Sequence, residues 1–239
     1  MNDVNIDILN TKKLYREIFN NILDSMPMLF EKLKPTCQNC EKINSCKINK
    51  TNPFQIFDEN CKLKLWHKNI INALENDLSK DILYKLKEIE KDKELFICNR
   101  CTICCKFATS EFDYRTLKEK AQNGDKFAKQ FVSIFVPYDN IDEAKKAYPD
   151  YVKMLEKNLD DIDNVYFYYC KKLNENGLCS DYENRLQICR DFPNNPLVLL
   201  PKCCGYKEWK EKHHMEALLS HATIEIIDFY IKKLKKLIY

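Results

Sequence analysis

The chain has 239 residues, 45% of them hydrophobic and 31% charged, and it carries a formal net charge of +3. A chain of this length can bury a sizeable core without help from metal, so its cysteines are not needed merely to hold a minimal scaffold together. The 39 basic and 36 acidic residues are interspersed and nearly cancel. This balance argues against nucleic acid as a partner, because there is no large basic field to attract it.

Thirteen cysteines and only three glycines are the unusual features of the composition. So few glycines favour helices over many tight hairpins. The amino terminus lacks the basic start and apolar run of a signal peptide, and no stretch approaches the ~18 apolar residues of a membrane span. We therefore expect a cytoplasmic protein with no membrane partner. Because cytoplasmic thiols are kept reduced, the cysteines are expected to bind metal rather than to pair as disulfides.

The first predicted element is an amphipathic helix over residues 6–33, in which Pro27 marks a bend or a restart. A loop-like stretch rich in asparagine, lysine and cysteine follows. Four thiols make a closed tetrahedral site, which suits structural zinc or a four-cysteine cluster. The sequence therefore predicts a small metal site near the front of the chain, with the ligands Cys37, Cys40, Cys46 and Cys61.

Between residues 58 and 96, apolar side chains recur at helical spacing and predict one long helix or a pair of helices. We interpret this stripe as a packed core face rather than as a cofactor site. Residues 1–96 are accordingly expected to form a helical amino-terminal region. Residues 97–239 are expected to form a metal-chelating domain that ends in a long helix.

The densest feature of the sequence is a CxxCxxCC run at residues 98–105, which places four thiols in eight residues. Two residues between cysteines allow a tight turn to aim both sulfurs at one ion at about 2.3 Å. Exposed neighbouring thiols would otherwise oxidise or pair wrongly. The run therefore predicts one half of a metal site, formed by Cys98, Cys101, Cys104 and Cys105.

The other half of this site must come from farther along the chain, and its candidates are Cys170, Cys179, Cys189 and the doublet Cys203 and Cys204. Adjacent cysteines usually point apart. We therefore expect one member of each doublet to bind metal, while its neighbour faces a second metal, the core or a redox partner. All-sulfur ligation suits both zinc and iron–sulfur clusters. The resemblance to ferredoxin loops favours an iron–sulfur cluster, with zinc as a close alternative and iron also considered.

Further helices are predicted after the run. Ser110, with an acid three residues later, resembles a serine-capped helix start. The apolar pattern of this helix continues past Gly124. Asn140 and the residue before it can cap a next helix, which Pro149 interrupts.

The aromatic segment 165–170 and the segment 178–179 predict a short hairpin with a cysteine on each arm, because residues 174–177 (Asn-Glu-Asn-Gly) are a turn signal. A helical turn is expected over 181–190, and a long closing helix from Tyr206 onward. The predicted fold class is mainly α: an irregular helical domain with a small β-hairpin, whose loops gather around cysteine-ligated metal.

The segment YENRLQICRDFP at residues 182–193 completes a recognisable succession. Together with the CxxCxxCC run and two spaced cysteines, it resembles the family of zinc- or iron-chelating CxxCxxCC domains, also called the YkgJ-type cysteine cluster proteins. The resemblance covers Cys98 to Cys204. It departs from the family pattern at Leu186, where the family has a proline, and at Thr102, where a glycine is common. The resemblance implies a zinc, iron or iron–sulfur site without implying a settled activity.

Two arginines lie beside the later cysteines. Arg185 and Arg190 could offset the negative charge of a site with several thiolates and donate hydrogen bonds to sulfur. They could equally lie at the surface or pair with the nearby acids Asp181, Glu183 and Asp191.

Three functions are open at this point. The first is a metal-binding protein whose site is structural or handles metal or electrons. The second is an iron–sulfur enzyme that resembles, in outline, the flagellin lysine N-methylases, although the chain has no glycine-rich loop for a methyl donor. The third is an interaction module in which metal shapes a surface and the closing helix docks a protein partner.

Overall fold

The structure, a computed structural model, describes residues 11–37, 48–156 and 165–238 and is mainly helical. Its α-helices are α1 (Thr11–Lys32), α2 (Lys64–Asn72), α3 (Ser79–Lys93), α4 (Ile103–Lys106), α5 (Tyr114–Gln122), α6 (Lys126–Ile134), α7 (Ile141–Ala147), α8 (Pro149–Glu156), α9 (Gln187–Asp191) and α10 (Lys207–Ile238). Its strands are β1 (Ala108–Ser110), β2 (Phe135–Pro137) and β3 (Tyr166–Cys170). In the part of the chain that the structure describes, no helix combines the length and apolarity needed to cross a membrane.

Within the described residues, the long helices confirm the predictions from apolar periodicity; residues 6–10 of the first predicted helix lie outside them. Helix α1 continues through Pro27 without a break. A π-helical turn, Ala73–Leu78, joins α2 directly to α3, so the helix predicted between residues 58 and 96 runs from 64 to 93. The closing helix begins at Lys207, one residue after the predicted start.

The serine cap predicted at Ser110 is wrong. Ser110 ends β1, and its hydroxyl accepts a hydrogen bond from the Phe112 amide at 3.0 Å. The carboxylate of Asp113 accepts from the Thr116 amide at 2.7 Å and caps α5 instead. Serine and aspartate both bond to nearby backbone amides in turns as well as at helix starts, which makes the two residues hard to distinguish by type alone.

The helix predicted to continue past Gly124 is in fact two helices. Gly124 adopts a positive φ of 92°, which ends the helical path, and the Asp125 carboxylate starts α6 by accepting from the Ala128 amide at 2.9 Å. The next predicted cap is confirmed, because Asn140 accepts from the Glu143 amide at 3.0 Å. Helix α8 begins at Pro149, the predicted interruption.

The three strands form an antiparallel sheet in the order β1-β3-β2. Ala108 pairs with Tyr168, and Phe135 pairs with Cys170. The prediction that the segment 165–170 forms a hairpin with the segment 178–179 is therefore wrong. Its turn forms, but within the described residues the second arm makes only an isolated bridge between Leu173 and Cys179. Strand β3 is the central strand, and it has buried side chains on both of its faces.

The chain divides into two compact units. The first unit comprises Met1–Lys12 and Asp92–Lys212, and the second comprises Lys13–Lys91 and His213–Tyr239. The break at Asp92 lies close to the boundary predicted between residues 96 and 97. The second unit, however, also contains most of α10.

Two apolar clusters form the core of the first unit, and β3 contributes to both. Phe167 packs in the Tyr151 cluster, and the next residue, Tyr168, packs in the Phe131 cluster, as the alternation of a strand requires. The Tyr151 cluster consists of Ile103, Phe107, Ala144, Tyr151, Val152, Leu155, Phe167 and Leu199. The Phe131 cluster consists of Leu117, Ala128, Phe131, Ile134, Phe135, Tyr168 and Cys170.

A single larger cluster, the Trp66 cluster, is the core of the second unit. It joins residues of α1, α2, the π-helical turn and α10 with the segment before α2. Its buried members are Met26, Phe30, Phe57, Leu63, Trp66, Ile70, Leu74, Ile226, Ile227, Tyr230 and Leu234.

Candidate metal centre

Nine free thiols lie in the first unit. Cys170 at the end of β3 is buried, Cys203 is exposed, and the other seven are partly exposed. Four short regions supply them, namely the CxxCxxCC run, the segment from β3 to its following turn, α9 and the loop before α10. The nine are Cys98, Cys101, Cys104, Cys105, Cys170, Cys179, Cys189, Cys203 and Cys204.

The CxxCxxCC run folds as a tight loop followed by the single turn α4. Arg100 and Thr102 both adopt left-handed backbone angles, with φ of 58° and 61°. The Thr102 carbonyl accepts from the Cys105 and Lys106 amides, each at 3.0 Å, and so starts α4. Left-handed angles are uncommon in residues other than glycine and persist only where the surroundings enforce them. Thr102 is the position at which the resembling family commonly has glycine.

The loop before α10 lies directly against the start of this run. The Asn99 side-chain amide donates to the Cys203 carbonyl. A Cβ atom added to Gly205 would lie 2.1 Å from the Ile97 carbonyl oxygen and 3.2 Å from the Asn99 amide nitrogen. Only glycine therefore allows the two backbones to approach so closely.

This approach brings Cys204 to Cys101. The hydrogen bond between the two thiols, together with burial, raises the pKa of Cys101, and the same bond lowers the pKa of Cys204. Cys104 lies near Cys98 and Cys101 as well as near its neighbour Cys105. A hydrogen bond with Cys105, burial, and the negative charges of Cys98 and Cys101 raise its pKa. We call Cys98, Cys101, Cys104 and Cys204 the first thiol set.

A second group of thiols gathers on the Phe131 cluster. Cys105, Cys170 and Cys189 all pack in or against it. The bridge between Leu173 and Cys179 and a 2.8 Å hydrogen bond from the Ser180 amide to the Lys172 carbonyl fold the arm that carries Cys179 back towards Cys170.

The electrostatics of this group agree with the packing. Burial, and then the negative charges of Cys170, Cys105 and Cys179, raise the pKa of Cys189 to about 11. Burial also raises the pKa of Cys170, with Cys105 and Cys179 adding to the effect. We call Cys105, Cys170, Cys179 and Cys189 the second thiol set.

Arg185 supplies positive charge to the second thiol set. The hydrogen bond with Cys104 lowers the pKa of Cys105 against the opposing effect of burial, and Arg185 lowers it further. The guanidinium lies 3.9 Å from the centre of the Tyr182 ring, and its Nε donates to the Tyr182 carbonyl at 3.0 Å. Arg190 instead holds the loop, because it donates to the carbonyls of Arg185 at 2.8 Å and Glu183 at 3.1 Å.

Two buried lysines hold the end of α9 and the segment that follows it, and sequence analysis missed them. Lys93 donates to the Arg190 and Asp191 carbonyls at 3.1 and 3.3 Å. Lys210 donates to the Pro193 carbonyl at 3.3 Å. For Lys93 the sequence offers one indication of burial. Lys93 follows the apolar residue Ile89 by four positions, so the two lie on the same face of their helix.

The predicted front site lies only partly within the described residues. Cys37 and Cys61 both pack against the Trp66 cluster of the second unit. Cys40 and Cys46 lie outside the described residues. The front four-cysteine site stays a prediction.

Across residues 11–37, 48–156 and 165–238, no three cysteine, histidine or acidic side chains are arranged as a group that could hold a metal ion. The chain matches no family model, no curated protein and no solved structure. The resemblance to the YkgJ-type proteins therefore depends on the cysteine motif and the segment 182–193 alone.

Proposed function

We propose that the first unit is a metal-binding module in which cysteine thiolates hold zinc, iron or an iron–sulfur cluster. The observation that carries this proposal is the convergence of thiols from distant parts of the chain. Cys204 hydrogen-bonds to Cys101, and Cys189 packs on the same cluster as Cys105. The donor chemistry fits, since tetrahedral zinc and a cubane cluster each take four cysteine sulfurs.

The mutual electrostatics of the thiols also support metal binding. Neighbouring sulfurs raise the pKa values of Cys101 and Cys104, because ionising one thiol next to another is unfavourable. A bound cation reverses this effect and holds cysteines as thiolates. Arg185 adds a fixed positive charge on the side of Cys105 and Cys189.

The proposed role of the metal is in the first place structural. Among the described residues, the helices that lie wholly within the first unit are four to nine residues long. Such helices are marginal by themselves in water. Metal that joins the loops between them contributes directly to the free energy of folding. Storage of metal or transfer of electrons is compatible with the same ligands.

The test is metal analysis of the full chain purified without oxygen under reducing conditions. We expect zinc or iron in stoichiometric amounts, with visible absorption and acid-labile sulfide if the metal is an iron–sulfur cluster. Removal of metal should expose the cysteines of residues 98–204 to alkylation and reduce the far-ultraviolet circular dichroism. Protein that contains neither metal, and that binds neither after reduction, would contradict the proposal.

A further inference from the structure

We propose that the first unit holds two separate metal centres rather than one, and that the adjacent residues Cys104 and Cys105 belong to different centres. The first thiol set forms one centre, and the second thiol set forms the other. This inference rests on the proposed metal binding and assigns its ligands.

The packing of the run is the first argument for two centres. Cys101 packs against the Tyr151 cluster, whereas Cys105 packs against the Phe131 cluster. The strand β3 contributes Phe167 to one cluster and Tyr168 to the other from opposite faces. The run therefore presents thiols to two different apolar surroundings within eight residues.

The local geometry of the doublet agrees with this division. Cys104 and Cys105 are consecutive in the turn α4, where successive side chains point about 100° apart around the axis. Their sulfurs are 4.0 Å apart. One sulfur can thus face Cys101 and its neighbours while the other faces the end of β3.

The partners from the rest of the chain divide in the same way. The loop 203–205 lies against the first half of the run, where Gly205 meets Ile97, the Cys203 carbonyl accepts from Asn99 and Cys204 bonds to Cys101. The end of β3 and helix α9 carry Cys170 and Cys189, which meet Cys105 on the Phe131 cluster. Each centre therefore combines thiols of the run with thiols from its own distant segment.

Coordination number makes two centres the economical solution. A zinc ion takes four ligands in a closed site, and a cubane cluster takes four cysteines. The two thiol sets contain four thiols each, so eight thiols satisfy two centres and exceed the needs of one. A single centre would leave the four thiols of the other set without metal.

Cys203 is the ninth thiol and lies outside both centres. It is exposed, whereas its neighbour Cys204 is partly buried and close to Cys98. Cys203 does share a hydrogen bond with Cys101, but it also bonds to the Tyr148 side chain. It therefore provides a matched control for Cys204, with the same chemistry at the next position.

The test reconstitutes the metal-free full chain with cadmium-113, which takes thiolate ligands and is observed directly by nuclear magnetic resonance. Correlation of each cadmium signal with the β-protons of cysteine identifies its ligands in the unaltered protein. We expect Cys104 to share one cadmium with Cys204, and Cys105 to share another with Cys189. Correlation of Cys104 and Cys105 with the same ion would overturn the two-centre inference.

Cysteine substitutions provide the second part of this test. Cys204→Ser should abolish the first of these signals and keep the second, Cys189→Ser should do the reverse, and Cys203→Ser should keep both. Loss of both signals in each of the first two variants, with a circular dichroism spectrum like that of the parent, would mean one shared centre. A chain that binds no cadmium at all would contradict the proposed function itself, which is a different outcome from binding at a single centre.

Discussion

The two units of the protein are ordered by different kinds of contact. The second unit is formed by long helices, such as α1 with 22 residues, and its core includes side chains with no exposed surface, among them Trp66 and Leu234. The first unit has short elements whose loops are held by hydrogen bonds to side chains, such as those of Lys93 and Lys210. Its strands have only three to five residues.

This difference indicates what each unit depends on. Apolar burial along extended helix faces accounts for the second unit, because every turn adds buried area. The first unit depends on close contacts between segments far apart in sequence. The two tryptophans report on the units separately, since Trp66 lies in the second and Trp209 in the first. Substitutions in one unit are therefore expected to leave the specific properties of the other intact.

The largest loss of stability is expected for Trp66→Ala. Trp66 has no exposed surface, and its indole nitrogen donates to the Phe30 carbonyl at 2.6 Å. Removing a buried tryptophan side chain costs about 3–5 kcal/mol. We expect a loss of this size in the free energy of unfolding of the second unit, measured by urea titration with circular dichroism.

Trp66→Phe serves as its control, because it keeps apolar volume and loses the hydrogen bond, and it should cost less than the alanine variant. In both variants Trp209 is the only remaining tryptophan, and its fluorescence should show an unchanged first unit. Metal content should also equal that of the parent. Loss of metal in proportion to the loss of stability would mean that the two units do not behave separately.

The second-largest loss of stability is expected for Gly205→Ala in the first unit. The new methyl group would meet the Ile97 carbonyl oxygen, so one backbone segment must move. Overpacking of this kind costs about 1–3 kcal/mol. We expect faster alkylation of Cys101 and Cys204, with an unchanged rate at Cys189, measured by mass spectrometry after brief exposure to iodoacetamide.

Gly124→Ala is the matched control for this experiment. Gly124 has a φ of 92°, so alanine is strained there, but its Cβ would have no neighbour within 4 Å. It should reduce stability without changing the alkylation of Cys101 or Cys204. Equal alkylation of these thiols in both variants would show that the close approach at Gly205 does not order the first thiol set.

The contrast between the units also explains how far sequence analysis succeeded. The long helices were predicted because apolar periodicity accumulates over many turns. Strands β1 and β2 were not predicted, since three residues carry no periodic signal and exist as strands only through pairing with β3. The caps at Ser110 and Asp113 were confused because both residue types bond to local amides.

The candidate site was only partly accessible to sequence analysis. Cysteine spacing identified the thiols, but their division into two sets depends on contacts with residues far away in the sequence, such as those of Cys101 with the Tyr151 cluster and of Cys105 with the Phe131 cluster. The roles of Gly205 and Lys210 depend on backbone from other segments, which no local pattern reveals. Thr102 did carry a signal, because it replaces a glycine common in the resembling family and adopts a left-handed angle.

A smaller, pH-dependent effect is expected at Lys210. Burial, followed by repulsion from Lys93, lowers the pKa of Lys210 to about 7. The unfolded chain keeps this proton up to the ordinary value of 10.5, so between these values the unfolded state binds more protons and the contribution of Lys210 to stability rises with pH. Lys210→Met removes the titration. The free energy of unfolding of the parent minus that of the variant should increase by about 1 kcal/mol from pH 7 to pH 8.

The control for Lys210 is Lys212→Met, at an exposed lysine that forms an ion pair with Asp92 at 2.9 Å. This variant should show a difference that is constant over the same pH range. Urea unfolding followed by fluorescence measures both variants in a Trp66→Phe background, in which Trp209 is the only tryptophan. A difference for Lys210→Met that stays flat, or falls, as pH rises would contradict the assigned protonation of Lys210.

The smallest effect is expected for Thr102→Gly, and it should be stabilising. A left-handed angle costs a residue with a side chain about 1–2 kcal/mol, and the greater freedom of glycine in the unfolded chain cancels about 0.4–1 kcal/mol of the relief. We expect a net gain of about 0.5 kcal/mol in the metal-free protein, measured by urea unfolding with Trp209 fluorescence in the same Trp66→Phe background. Thr102→Ala keeps the left-handed strain and should show no such gain. Destabilisation by glycine would mean that the Thr102 side chain orders the loop, and the first unit would then depend on that side chain as well as on its thiols.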